Sequence, residues 1–325
     1  MAEHPGTSTV TRRNLLRAGG LAGGLAASAP LLAVVSSAAT RTPARASAPA
    51  DTAGSLPVAE IEKIIRAQGT VSNGVLNIEI DRDDVPNVKK HGVPVKPAFE
   101  INGNLCFQAG PGGVMMNGDL AFKPSELNPA IDAMIKHGLA WQAEHQHLFS
   151  LEPMMWFMHM RGRGSARKVA EGCAAVLAAT STPLPQAPPK NPTTPLNVKR
   201  LERIIGSSAT VGSDGVVSFQ IPRRDPITLG EVRISPYLNV YTPIDFEPLG
   251  GDTAAVVPDY GMVTGEIANV TRTMRRQGWE VDCLYNQETD ESPQLYFSHH
   301  WKVGNAYRLA AEVRRGLEKM NVMLG

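Results

Sequence analysis

Cysteine is scarce in this 325-residue chain: Cys106, Cys173 and Cys283 lie far apart and none belongs to a CxxC pair. At most one disulfide could form, and the spacing favours three small buried apolar residues. Excess charge is missing too. Lys and Arg number 32 against 31 Asp and Glu, which leaves no electrostatic footprint for nucleic acid or an anionic membrane surface. Long hydrophobic runs are absent as well. The most apolar stretch, 18–35, is Ala- and Gly-rich and short for a span of about 20 residues.

What that stretch does offer is the middle of an export signal. It follows TRRNLLR at 11–17, a twin-arginine pattern, and leads into small residues that permit cleavage after Ala39 or Ala46. Residues 1–46 are therefore set apart from the fold, and 47–57 is expected to be disordered. The twin-arginine route carries proteins already folded, which suits a protein that acquires its cofactor before export. No cysteine stands near the cleavage region to take a lipid. The expected product is secreted or held in the cell envelope without a membrane anchor, and its oligomeric state is open.

The mature chain repeats itself. Shifting it by 140 residues lays LERIIGSSATV (201–211) on IEKIIRAQGTV (61–71). In the same register Asp259 falls on Asp119, Glu266 on Glu126, Pro293 on Pro153, Phe297 on Phe157 and His299 on His159. A constant register over such a length indicates duplication, because shared composition does not keep register. The first repeat spans 58–182, a proline-rich linker 183–197, and the second repeat 198–325. Each half opens on an amphipathic helix (58–67, 198–205) and runs on through strand-like segments such as 75–80 and 114–122. A helix over 125–137 ends at Gly138, strands follow at 140–149 and 154–161, and a last helix covers 165–178. This order predicts an α+β fold of two duplicated domains, each a mainly antiparallel sheet with helices on one face.

Chemistry concentrates in HQHLFSLEPMMWFMH, residues 145–159. On a strand, residues two apart share a face, so His145 and His147 project together. A turn over 150–153 would return the chain antiparallel. If paired residue numbers add to an even constant, as with 145 opposite 159, His159 joins them. Glu152 would then sit at the hairpin tip, either as a fourth metal ligand or as the catalytic base beside an ion held by His145, His147 and His159. Neutral imidazoles suit zinc first, with iron, manganese or copper as further divalent options. A hydrogen-bonded polar cluster or a substrate patch is the alternative. The second repeat keeps only His299 and carries Tyr285 and Gln287 at the matching positions, which suits substrate contact better than coordination. His300, the strand neighbour of His299, is expected to face the other way.

At these residues the sequence resembles the LppY/LpqO family, a bacterial domain of unknown function usually present in two copies. EHQHLFSLEPMMWFMHMRGRG (144–164) and LYNQETDESPQLYFSHHWKVG (284–304) carry the likeness, with PGGVMMNGDL (111–120) extending it. The resemblance implies the two-copy fold and a first-copy pattern of HxH, Glu-Pro and a closing His, filled here by His145, His147, Glu152, Pro153 and His159. It names no reaction. The readings that stand are an exported metal-dependent enzyme of hydrolase or lyase type, acting on a small-molecule or cell-wall-associated substrate, and a non-catalytic module that holds a metal or small ligand.

Overall fold

A computed structural model describes residues 56–187 and 193–325. The export signal, the segment 47–55 and the middle of the linker lie outside the described residues. Leu56 of the segment expected to be disordered packs against the core of the first repeat.

The first repeat runs α1 (Val58–Ile65), β1 (Thr70–Ser72), β2 (Val75–Asp81), β3 (Lys89–Lys90), β4 (Val93–Pro94), α2 (Pro97–Glu100) and β5 (Asn102–Gly110). It continues through β6 (Gly113–Phe122), α3 (Leu127–His137), β7 (Ala140–His145), β8 (Leu151–Glu152), β9 (Trp156–Gly164) and α4 (Ala166–Ala178). The second repeat runs α5 (Val198–Ile205), β10 (Ala209–Val211), β11 (Val217–Ile221), β12 (Thr228–Leu229), β13 (Val232–Arg233) and β14 (Thr242–Gly250). It ends with β15 (Thr253–Pro258), α6 (Thr264–Arg276), β16 (Glu280–Val281), β17 (Glu291–Ser292), β18 (His300–Asn305) and α7 (Ala306–Leu317).

Each repeat folds as an α+β unit around a six-stranded antiparallel sheet. The orders are β1-β2-β5-β6-β9-β7 and β10-β11-β14-β15-β18-β16, the same topology twice. Each also carries a three-stranded ribbon, β4-β3-β8 or β13-β12-β17. Helix boundaries follow local chemistry. In α1 the apolar residues recur at helical spacing and bury Ile61 and Ile65, and α3 stops where Gly138 adopts the left-handed conformation at φ 69°, which glycine enters without a Cβ clash.

The period of two in β6 sorts its side chains. Val114, Met116, Leu120 and Phe122 enter a core with residues of α1, α3 and α4, while Met115, Asn117, Asp119 and Ala121 face away from the helices. The opposite face is also covered. The clusters there draw on both repeats, joining Phe157 to Val257 and Trp301, and Cys106 to Leu295 and Phe297. The two repeats accordingly fall in one compact unit, with sheet against sheet inside and helices outside. The three cysteines are free.

Carboxyl groups in this fold divide into two sets with opposite pH signatures. Burial alone would raise Asp84 and Glu126, but hydrogen bonds from Arg82, with Lys123 and Ser181 on Asp84 and Ser181 on Glu126, hold both below the usual carboxylate range. Their contribution to stability is present above about pH 4 and is lost as pH falls. Burial pushes Asp245 and Glu247 up to about 7 and Glu291 up to about 8. Their contribution is full below about pH 4 and is lost as pH rises through those values. The buried histidines His147 and His159, driven down to about 3, add stability that is present above about pH 6.5 and lost as pH falls, so the metal-free protein is expected to be most stable between these limits. Urea midpoints measured from pH 3 to 9 should peak near about pH 6.5; a monotonic climb to pH 8 would contradict the assignment of the second set.

Candidate metal centre

Three buried histidines of the first repeat converge on the inner face of its sheet. His159 sits on β9 opposite Asp119 of β6, and cross-strand partners share a face. His145 ends β7, where Ala143 pairs with His159 and His145 with Phe157. Partner numbers add to an even constant, so both histidines point inward, although the register is two residues from 145 opposite 159. A β-bulge between Trp141 and Ala143 produces this arrangement. Before the bulge Trp141 pairs with Met160, and an uninterrupted strand would have turned His145 toward the helices. His147 lies just past the strand, its ring stacked on Phe157 at 3.4 Å between centroids.

The polar atoms of these rings face one another. His145 Nε2 is 2.9 Å from His159 Nε2, and Asp119 Oδ2 lies 3.2 Å from His147 Nε2 and 3.5 Å from His159 Nε2. His147 Nδ1 is 3.2 Å from Glu100 Oε2. A hydrogen bond between His145 and His159 would engage the lone pair of only one ring nitrogen, whereas a cation between them would engage both. Asp119, His145 and His159 present ligand atoms within 4.8 Å of one another, as do Glu100, His147 and His299.

Electrostatics keep the cluster in a ligand-ready state. Burial drives His147 and His159 down to about 3 and takes His145 and His299 well below the ordinary imidazole value. All four rings are therefore neutral near pH 7, the form that coordinates metals. Burial raises the Asp119 carboxyl and places Glu100 and Asp259 well above the usual range. Carboxyl groups this short of countercharge would gain from a cation.

The second repeat closes the site from the other side. Tyr285 stacks on His145 at 3.6 Å and its hydroxyl donates to Asp259 at 3.2 Å. His299 stacks on His147 at 4.2 Å, with its Nδ1 3.2 Å from the Cys283 thiol. Gln287 donates to the backbone carbonyl of Asn239. A polar cavity of about 150 Å³ between the sheets opens beside these groups, and Glu100, Asp119, His147, Gln287 and His299 line it. His300 lies on the opposite face against Tyr260, a residue of the helix-side core.

Glu152 is the one sequence-predicted site residue that the fold sets apart. The chain between β7 and β9 is not a simple hairpin, because β8 pairs with β3 and Glu152 lies opposite Lys89. Its side chain is exposed and belongs to none of the potential ligand groups among the described residues. The carboxylates beside the imidazoles are instead Asp119 and Glu100. Asp119 had a signal in the sequence, being kept in both repeats as Asp119 and Asp259. Glu100 had none: it reaches the site only because the short helix α2 delivers it there.

No curated protein matches the chain. Among solved structures, a trimeric bacterial microcompartment shell protein, PduB, aligns over 80% of this chain and 96% of its own at 11% identity. Its TM-score of 0.20 carries no argument. A family described as Domain of Unknown Function (DUF1259) matches at residues 59–179 and again at 199–319, two spans displaced by the same 140 residues that relate the repeats. The chain belongs to this family and carries its domain in two tandem copies.

Proposed function

We propose that this protein is an exported metal-binding protein of the LppY/LpqO type and a metal-dependent enzyme of hydrolase or lyase class. The ion is held by His145, His159 and Asp119, with His147 within reach. The observation that carries the reading is the 2.9 Å approach of the His145 and His159 ring nitrogens beside a buried carboxylate. Zinc suits this mixed imidazole–carboxylate set best, and iron, manganese or copper accept the same ligands. Bound there, the ion would act as a Lewis acid on a ligand entering from the adjoining cavity. Glu100, 3.2 Å from His147 and lining that cavity, takes the acid–base role in place of Glu152.

Tyr285, Gln287 and His299 of the second repeat are the substrate-side contacts in this reading. The substrate is a small molecule, free or cell-wall-associated, met outside the cytoplasm after twin-arginine export and signal cleavage. A non-catalytic module that holds a metal or small ligand in the envelope is the second reading. It is favoured by the closeness of the packing around the imidazoles, where Tyr285 covers His145 and Phe157 covers His147.

Elemental analysis tests the shared premise. The mature protein, exported by its own signal and never exposed to chelator, is expected to hold about one equivalent of a divalent transition metal. A His145→Ala/His159→Ala version of equal solubility is expected to hold less than about a tenth of that. Equal metal in both, or none in either, would remove the metal centre from the account.

A further inference from the structure

The cavity beside the imidazoles has a hydrogen-bonding character of its own. Asn104, on the inner face of β5, and Asn239, in the turn before β14, meet across it. Asn104 Nδ2 donates to Asn239 Oδ1 and to the Tyr241 hydroxyl, each at 3.4 Å. Asn104 Oδ1 and Asn239 Nδ2 are both buried and without a partner. Two amides joined in this way leave one free acceptor and one free donor, and reversing both amides gives the same result. Deeper toward the imidazoles, Asp119 Oδ1 and Asp259 Oδ1 are also buried and without a hydrogen bond, Asp259 Oδ1 lying 3.6 Å from His299 Nδ1.

The donor and acceptor pattern of these groups discriminates among ligands. The described residues lining the cavity include no Lys or Arg, so a phosphate, sulfate or carboxylate would find no countercharge. An ammonium group would be drawn to the carboxyl groups that line the cavity, Glu79, Asp245 and Asp259 among them, but it offers donors only and would leave the free amide donor unsatisfied, at the cost of a buried unpaired N–H. A hydroxyl both donates and accepts, and two adjacent hydroxyls would satisfy the amide pair together. At about 150 Å³ the cavity is on the scale of one small ring or a short polyol rather than an oligosaccharide.

We propose that the cavity between the two repeats is a binding site for an uncharged polyhydroxylated molecule, a single sugar ring or a cyclic or short linear polyol, read by Asn104 and Asn239. The assignment rests on the preceding reading only in setting this ligand next to the ion; the recognition itself comes from the amide pair.

The test is calorimetric titration of the mature, metal-loaded protein with D-glucose, N-acetyl-D-glucosamine, myo-inositol and D-mannitol. D-Glucuronate and spermidine serve as the anionic and cationic probes, and metal content is measured on the same samples. Saturable binding of at least one neutral probe is expected, weakened about tenfold or more by Asn104→Ala and by Asn239→Gly, with metal content unchanged. Glycine is chosen at position 239 because that residue sits at φ 56°, where glycine keeps the backbone unstrained. Binding of spermidine or glucuronate alone would overturn the proposal. So would no binding of any neutral probe up to roughly 50 mM, or binding unaltered in both variants. Neutral-probe binding in protein that never holds metal would instead sink the metal centre and leave this site standing.

Discussion

Arg82→Ala is expected to cost the fold about 3–5 kcal/mol, the loss seen when one member of a buried ion pair is removed and its partner is left uncompensated. The Arg82 side chain is 1% exposed. Its guanidinium grips Glu126 at 2.9 and 3.0 Å, Asp84 at 2.8 and 3.0 Å, and the Ala121 carbonyl at 2.6 Å. Glu126 in turn accepts the backbone N–H of Lys123 at 2.8 Å, so the network ties the end of β2 to the end of β6 and the start of α3. The second repeat builds the same device: Arg223 reaches Glu266 at 2.7 and 3.1 Å, Asp225 at 2.6 Å and the Gly261 carbonyl at 2.9 Å. Arg223→Ala should therefore cost a similar amount. Guanidinium chloride unfolding of each variant measures it, with the midpoint falling and the slope kept. A loss below about 1 kcal/mol in both would show that the networks contribute no more than surface ion pairs.

Removing the proposed ion is expected to be the other large effect. If the ion is bound about a thousandfold more tightly than its free concentration, it adds about 4 kcal/mol to the folded state. For a protein of this size chelation should then lower Tm by about 8–16 °C. Asp119→Asn keeps the side-chain shape while removing the carboxylate from the His145–His159 pair, so its melting should respond weakly or not at all to chelator. Differential scanning calorimetry with and without EDTA decides it. Identical chelator responses in wild type and Asp119→Asn would mean that any ion lies elsewhere.

Much of the fold could be read from local pattern. The 140-residue register, the amphipathic stretch over α1 and the glycine stop after α3 come from side chains a few residues apart, so sequence spacing reports them directly. The β7–β9 segment was legible only in part. The even pairing constant that brings His159 to His145 holds, but the strands end earlier than expected, at His145 and Trp156. The residues between them leave the hairpin to make β8 with β3. Pairing with a strand some 60 residues away leaves no mark in local spacing, and Glu152 lost its expected place at the imidazoles for that reason.

By itself the sequence determined that this chain is a duplication of one α+β domain, and that imidazoles gather in the first copy while the second keeps one. Only the tertiary structure decided which carboxylates face those imidazoles. Asp119 arrives by strand pairing, Glu100 on a short helix, and Tyr285, His299 and Asp259 from the other repeat, across an interface between two sheets. It also decided the side on which His145 projects. A single extra residue at the bulge sets that parity, and a bulge depends on how two strands twist past each other rather than on any residue's own preference.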